Sequence, residues 1–189
     1  MIHSPRFAVV LDACVLYPAP VRDIFLSMAA EGLFKPKWTK EIQDEWVRNL
    51  LKRRDDLKEE VLFKTVRAMN LAFPDAAVEN YEDLIEGLRL PDKDDRHVVA
   101  AAIKCNADLI VTNNLKDFPG TIVEKYDIEI QSPDELVSNL IQLNKKLSCV
   151  AFNKMVNRLK KPPKTKSEVA QSLRNCGLSK SSEMLLSLC

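Results

Sequence analysis

The run Leu90-Pro91-Asp92-Lys93-Asp94-Asp95-Arg96-His97 places three carboxylates within four residues, and Asp117 follows soon after the amide pair Asn113-Asn114. Like charges gathered this closely repel one another and raise each other's pKa unless a hard divalent cation lies among their oxygens. Two further acids stand where such a site could use them: Asp12, which ends the apolar run Phe7-Ala8-Val9-Val10-Leu11, and Glu45, inside an amphipathic segment. With only His3 and His97 in the chain, imidazole-based zinc chemistry and two-histidine acid/base chemistry have little material. Carboxylates must carry any catalysis, and oxygen-only ligand sets suit Mg²⁺ or Mn²⁺.

The elements that must position these acids follow from periodicity. Residues 7–11 are short, Val-rich and bounded by Pro5 and Asp12, which predicts a buried strand with Asp12 at its carboxyl end. Val21, Ile24, Phe25, Met28 and Ala29 recur at helical spacing up to Gly32, a good helix stop. Thr39 is the expected N-cap of a second helix with Ile42, Trp46, Val47, Leu50 and Leu51 on its apolar face, which sets Glu45 at the edge of that face. A third helix is expected over 57–73, a fourth over 94–105, a strand over 107–112 and an edge strand over 128–130. Ser132-Pro133-Asp134-Glu135 opens a helix to about residue 143, and short helices follow over 150–159, 167–174 and 180–188, separated by Pro162-Pro163 and Gly177. Strands alternating with helices point to an α/β fold with a parallel sheet, in which ligands bind beyond the carboxyl ends of the strands. Asp12 and the 112–117 loop both fall there.

The 189 residues allow one full α/β domain with an appendage. We place the boundary near 145, giving 1–145 as the chemical domain and 146–189 as a basic helical extension. The net charge of +1 hides a division: residues 145–189 hold ten Lys/Arg against Glu168 and Glu183, while the first 144 hold 18 basic and 25 acidic side chains. That asymmetry fits a polyanionic substrate or an acidic partner, and a solvated basic helix face fits the same composition. No targeting segment and no run of roughly 18 apolar residues is read, so the expected address is the cytoplasm, without membrane contact. Cys14, Cys105, Cys149, Cys176 and Cys189 are odd in number and lack a Cys-x-x-Cys pair, and they are expected as free thiols.

Taken together, the strand-ending Asp12, the helical Glu45, Asp95-Arg96-His97-Val98 running into Ala100-Ala101-Ala102, and Thr112-Asn113-Asn114 followed by Asp117-Phe118-Pro119 resemble the PIN-domain nucleases. Within these the chain looks most like the bacterial VapC-type toxins, including those with a helical C-terminal extension. The resemblance covers 7–130 by motif and 131–189 more loosely. It implies a PIN-like three-layer fold with a central parallel sheet flanked by helices and a small helical extension. It also implies a metal-dependent endoribonuclease using Mg²⁺ or Mn²⁺, an RNA substrate, a cognate antitoxin and a homodimer. By position, Asp12, Glu45 and Asp95 correspond to the family's catalytic acids, with Asp12 and Asp95 as metal ligands. The family's fourth acid lies two residues after the Thr, where this chain has Asn114, and Asp117 is placed to supply the missing charge. Thr112, Arg96 and Lys116 are expected beside the substrate or the ligands.

Other readings stay open at this level. Asp94 or Asp95 could cap a helix, Glu45 could be a solvated helix residue, Asp12 a turn residue, and His97 a packed or surface residue. A haloacid-dehalogenase-like phosphatase would need a second Asp where Cys14 stands, and a receiver-type module would need an acid pair this chain lacks. A PIN-like binding module without turnover is the non-enzymatic alternative, favoured by Asn114. The extension carries Phe152 as its one aromatic, so it is expected to contact backbone or protein rather than to read bases.

Overall fold

The computed structural model describes residues 7–189; Pro5, the expected leading boundary of the first strand, and His3 lie outside the described residues. In chain order the elements are β1 (Ala8–Leu11), α1 (Ala13–Leu16), α2 (Ala19–Ala30), β2 (Lys35–Lys37), α3 (Lys40–Arg53), α4 (Glu59–Ala72), α5 (Arg96–Lys104), β3 (Leu109–Val111), α6 (Gly120–Val123), β4 (Glu129–Gln131), α7 (Pro133–Leu143), α8 (Lys145–Arg158), α9 (Lys166–Asn175) and α10 (Ser179–Leu188). Short 3-10 segments cover Glu82–Gly87, Leu115–Asp117 and Glu124–Tyr126. Residues 7–17 and 36–131 form one compact unit, and 18–35 with 132–189 form another.

The first unit is built on a four-stranded sheet in the order β2-β1-β3-β4. β1 and β3 pair in parallel, Val10 opposite Ile110, and β3 pairs in parallel with β4, Ile110 opposite Ile130. The α/β fold with a central parallel sheet and flanking helices is therefore as expected, with β4 at an edge. Every residue of β1 and β3 is buried, as near-continuous apolar strands covered on both faces must be. α5 packs on β1 and β3; its stretch Val98-Val99-Ala100-Ala101-Ala102 is fully buried, and small side chains let the helix approach the sheet closely. α3 starts where Thr39 accepts the N–H of Ile42 at 3.0 Å and carries Lys52 and Arg53 in its last turn, favourable to the helix dipole.

The second unit is all helical. α2 and α7 pack with α8, α9 and α10 around Phe25, Met28, Leu140, Phe152, Leu173 and Leu185, with Phe25 and Phe34 edge to face at 6.1 Å. Gly32 stops α2 with φ 75°, a conformation that side chains with a Cβ disfavour. Ser132 and Glu135 form a reciprocal capping box at α7, as Thr165 and Glu168 do at α9. α10 has no cap of its own. Asp134 of α7 substitutes, accepting the N–H groups of Lys180 at 3.0 Å and Ser181 at 2.8 Å and the Ser181 hydroxyl at 2.6 Å.

One expectation is corrected here. Cys149 and Cys189 are joined by a disulfide, with Cα atoms 5.3 Å apart, so the five cysteines are not all free; Cys14, Cys105 and Cys176 are. Spacing could not reveal this pair, because its closure depends on α8 and α10 packing together across 40 residues of sequence.

Candidate active site

β1 and β3 both end at polar residues, and the ladder carries one step beyond them: Asp12 N–H donates to the Val111 carbonyl at 3.1 Å and Thr112 N–H to the Gln131 carbonyl at 3.1 Å. Adjacent parallel strands thus deliver Asp12 and Thr112 side by side at the carboxyl edge of the sheet. The buried Thr112 hydroxyl donates to Asp12 Oδ2 at 2.7 Å and in turn accepts the N–H of Asn114 at 3.0 Å. Asp12 is itself buried and caps α1, its Oδ1 accepting the Ala13 N–H at 2.6 Å.

Cys14 ties the same two strand ends together. Its thiol donates to Asp12 Oδ2 at 3.0 Å, its sulfur accepts the Asn113 N–H at 3.2 Å, and its carbonyl accepts the Asn113 side-chain amide at 3.4 Å. Burial, reinforced by Asp12, pushes the thiol up to about 12, so it stays protonated and keeps donating. The sequence drew attention to this position as a free thiol and as one where a carboxylate was missing, not as a partner of Asp12.

Asp95 is the residue before the first turn of α5, yet its side chain makes no capping bond. The helix-cap explanation therefore does not account for it. Its carboxyl is pushed up to about 7, first by burial and then by the charges of Asp12, Asp92, Asp117 and Glu45. Glu45 is raised as well, by burial and then by Asp12, against the opposing pull of Arg48. Asp95 thus lies in the fields of Asp12, Glu45 and Asp117, and Glu45 in that of Asp12.

A cavity of about 740 Å³ opens beside them, lined by Glu41, Glu45, Arg48, Asp95, His97 and Asn114 among others. His97 is buried, its Nδ1 3.7 Å from Glu41 and its Nε2 3.8 Å from Glu45. Burial holds it below the ordinary imidazole range although Glu41, Asp12 and Asp94 pull the other way. Glu41 and Glu45 are one helical turn apart on α3 and both face the imidazole; this i, i+4 pair was the available signal for Glu41, and His97 was read as a packed or surface residue. Tyr81 donates to Glu41 at 3.1 Å.

Not every expected residue comes to the cavity. Arg96 Nε donates back to the Lys93 carbonyl at 2.9 Å, and Lys116 is an exposed residue of the 3-10 turn Leu115–Asp117; neither lines the cavity, and Asp12, Thr112 and Asp117 lie behind or beside its lining rather than in it. Asp92 accepts the Asp94 N–H at 2.9 Å and so shapes the loop. Among the described residues, no three His, Cys, Asp or Glu side chains are gathered closely enough to hold an ion as they stand. The donor chemistry nonetheless suits a hard cation, since the convergent groups are carboxylate oxygens whose mutual repulsion such an ion would relieve.

Residues 8–116 match the PIN domain family, and residues 133–187 match the VapC50 C-terminal domain. The chain belongs to the PIN-domain family. It is also 34% identical over 93 residues, 49% of its length, to "Putative ribonuclease VapC50" of Mycobacterium tuberculosis (strain ATCC 25618 / H37Rv). The match spans 54% of that relative's own length, so about half of it. The resemblance to VapC-type PIN proteins with a helical C-terminal extension is borne out by the two family matches in this order. Within the PIN domain, Asp12, Glu45 and Asp95 all belong to the sheet-bearing unit.

Proposed function

We propose that the PIN domain of this chain is an endoribonuclease dependent on Mg²⁺ or Mn²⁺, the toxin of a toxin–antitoxin pair. The observation that carries this reading is the convergence of Asp12, Glu45, Asp95 and Asp117, with the Asp95 carboxyl raised to about 7 by burial and by its neighbours' charges. A fold that brings carboxylates together without neutralising them spends stability on a site for a cation and a phosphodiester. Asp12 and Asp95 would hold the ion, with Asn114 and Asp117 contributing an amide oxygen and a charge. When bound, the ion would supply a nucleophilic water at neutral pH and stabilise the charge that develops on the phosphate.

The chain's own residues do the remaining work. Thr112 and Cys14 fix the rotamer of Asp12 through hydrogen bonds to one oxygen. Glu45, on the rigid α3 and raised above the usual carboxylate range, is placed to orient a water or accept its proton. Arg48 at the cavity wall offers a guanidinium to a substrate phosphate, with Thr112, Arg96 and Lys116 beside the substrate or the ligands. RNA as substrate, a cognate antitoxin, a homodimer and a cytoplasmic address complete the proposal; among the described residues no helix is long and apolar enough to cross a membrane. In this division of labour the nuclease lies within 1–145 and the basic extension is 146–189.

The test is cleavage of total cellular RNA by purified protein in Mg²⁺ or Mn²⁺, with EDTA as control and cut sites mapped. Metal-dependent cutting lost in Asp12→Asn supports the reading. Asn114 in place of the fourth acid favours the other one, a PIN-like module that binds RNA or protein without turnover, and RNA left intact under all metal conditions would select it.

A further inference from the structure

Between Glu135 and Glu168 the chain has eight lysines and arginines and no acid. Five of them, Arg158, Lys160, Lys161, Lys164 and Lys166, lie in the nine residues from the end of α8 to the start of α9. The connection is a tight turn: Lys160 and Pro163 bridge to each other, and the Thr165–Glu168 capping box fixes the exit into α9. All residues from 160 to 166 are exposed. Arg158 donates to the Ser27 hydroxyl and Lys166 to the Cys189 carbonyl. Lys160, Lys161 and Lys164 make no ion pair among the described residues.

The carboxylates of this helical unit are engaged elsewhere. Glu31 pairs with Lys154, Glu183 with Arg174, Glu135 and Glu168 serve capping boxes, Asp134 caps α10, and Asp23 lies in the field of Arg22 and Arg158; Glu168 also lies in the field of Lys164 without pairing with it. An ordinary solvated surface intersperses both signs; this turn does not, and it holds its cations on a short bridged hairpin rather than a slack linker.

We propose that the turn over 158–166 is a docking surface for the phosphate backbone of RNA. Compact ammonium charges suit phosphates, and residues 153–189 contain no aromatic while Phe152 is fully buried, so bases are not stacked or read there. An anionic bilayer would need a sizeable apolar anchor beside the charges, and the turn itself offers lysines, prolines and a single half-buried leucine, Leu159. The choice of RNA over an acidic protein rests on the nuclease reading above.

The experiment follows binding of a fluorescein-labelled RNA hairpin by anisotropy across a salt series, in EDTA so that binding is read without metal-dependent cutting. It compares the full-length wild type, the triple variant Lys160→Gln, Lys161→Gln, Lys164→Gln, and the corresponding triple Lys→Arg variant. Loss of three phosphate contacts should make the slope of log K against log salt shallower by about 2 to 3 and weaken binding at low salt by about tenfold or more; the Arg variant should keep the wild-type slope. An unchanged slope in the Gln variant overturns the proposal, as does an equal loss in the Arg variant or a wild-type preference for polyglutamate or phosphatidylglycerol vesicles over the hairpin. Because the readout is binding, wild type that docks the hairpin through these lysines but cuts no RNA refutes the nuclease reading and leaves the surface standing.

Discussion

In the helical unit each carboxylate of the described residues answers to a cation or a capped N–H, whereas in the sheet unit Asp95 answers mainly to other acids: Asp12, Asp92, Asp117 and Glu45 all raise it, and Asp12 in turn raises Glu45. The same side chain thus stabilises one region and strains the other. In the helical unit the acids close helix ends and pair across helices, so their removal should cost stability. In the sheet unit the acids around Asp95 are held by a buried scaffold that does not need their charge, so their removal should cost function.

The largest effect should separate the two regions outright. Asp12→Asn or Asp95→Asn is expected to lower metal-dependent RNA cleavage by at least about 100-fold, the scale for losing a group that stabilises charge in a reaction. Circular dichroism should remain that of the wild type. Asn at 12 keeps an acceptor for the Ala13 N–H but lacks the charge. Near-wild-type cleavage by either variant, in protein free of contaminating nuclease, would show that the acids are not the working groups.

Stability should then move in opposite directions. Asp134→Ala strips three bonds from the start of α10 and should cost about 1–2 kcal/mol, roughly 2–8 °C in Tm. Asp95→Asn should do the reverse in EDTA. Because the Asp95 carboxyl is raised from 3.8 to about 7, the folded state holds its proton more tightly than the unfolded chain, and stability falls as pH climbs through that window. The penalty is absent well below pH 3.8 and grows from about pH 4 to about pH 7. Asp95 is only half-buried, so after allowance for solvent screening the gain is about 1 kcal/mol, or roughly 2–4 °C, at about pH 8. A melting series in which Asp95→Asn gains nothing between those pH values would remove the strain from the comparison.

Much of the positioning was legible in the sequence because it is local. Thr39 and Gly32 mark helix ends by their own chemistry, Ser132 and Glu135 show a capping box three residues apart, and the Val-rich run before Asp12 announces a buried strand. What escaped was non-local or too short. β2 is Lys-Pro-Lys, a strand only because it sits at the sheet edge, where Pro is tolerated. α1 is four residues long and starts on the Asp12 cap. The grouping of α2 with the C-terminal helices, the Cys149–Cys189 bond and the enclosure of His97 by Glu41 and Glu45 all depend on which distant elements meet, and nothing in the spacing of these residues encodes that.

Cys14 sharpens the comparison within the site itself, since it bonds a carboxylate without neutralising it. Cys14→Ala should raise the Mg²⁺ concentration for half-maximal cleavage by roughly two- to tenfold, the worth of one hydrogen bond of about 0.5–1.5 kcal/mol. Cys14→Ser restores a donor and should stay close to wild type. A structural role alone would instead lower Tm in both variants with no change in metal dependence, so the two measurements together decide it.

The smallest effect concerns the fourth acid. Asn114 lines the cavity, its N–H is spent on Thr112, and its side chain brings an oxygen without charge; Asp117, half-buried at the end of its turn, brings charge that Asp95 feels. If attraction for the cation is shared between them, Asn114→Asp should lower the Mg²⁺ requirement and Asp117→Asn raise it, each by about two- to tenfold. That is the range for one added or removed charge several ångströms away in a well-solvated cavity. In metal-free buffer the same Asn114→Asp change adds a like charge to the cluster and should lower Tm slightly, with the loss reversed by Mg²⁺. Opposite signs with and without metal are a signature that neither packing nor surface charge alone produces. Equal metal dependence in wild type, Asn114→Asp and Asp117→Asn would place both residues outside the cation's reach and leave Asp12, Glu45 and Asp95 as the whole acidic centre.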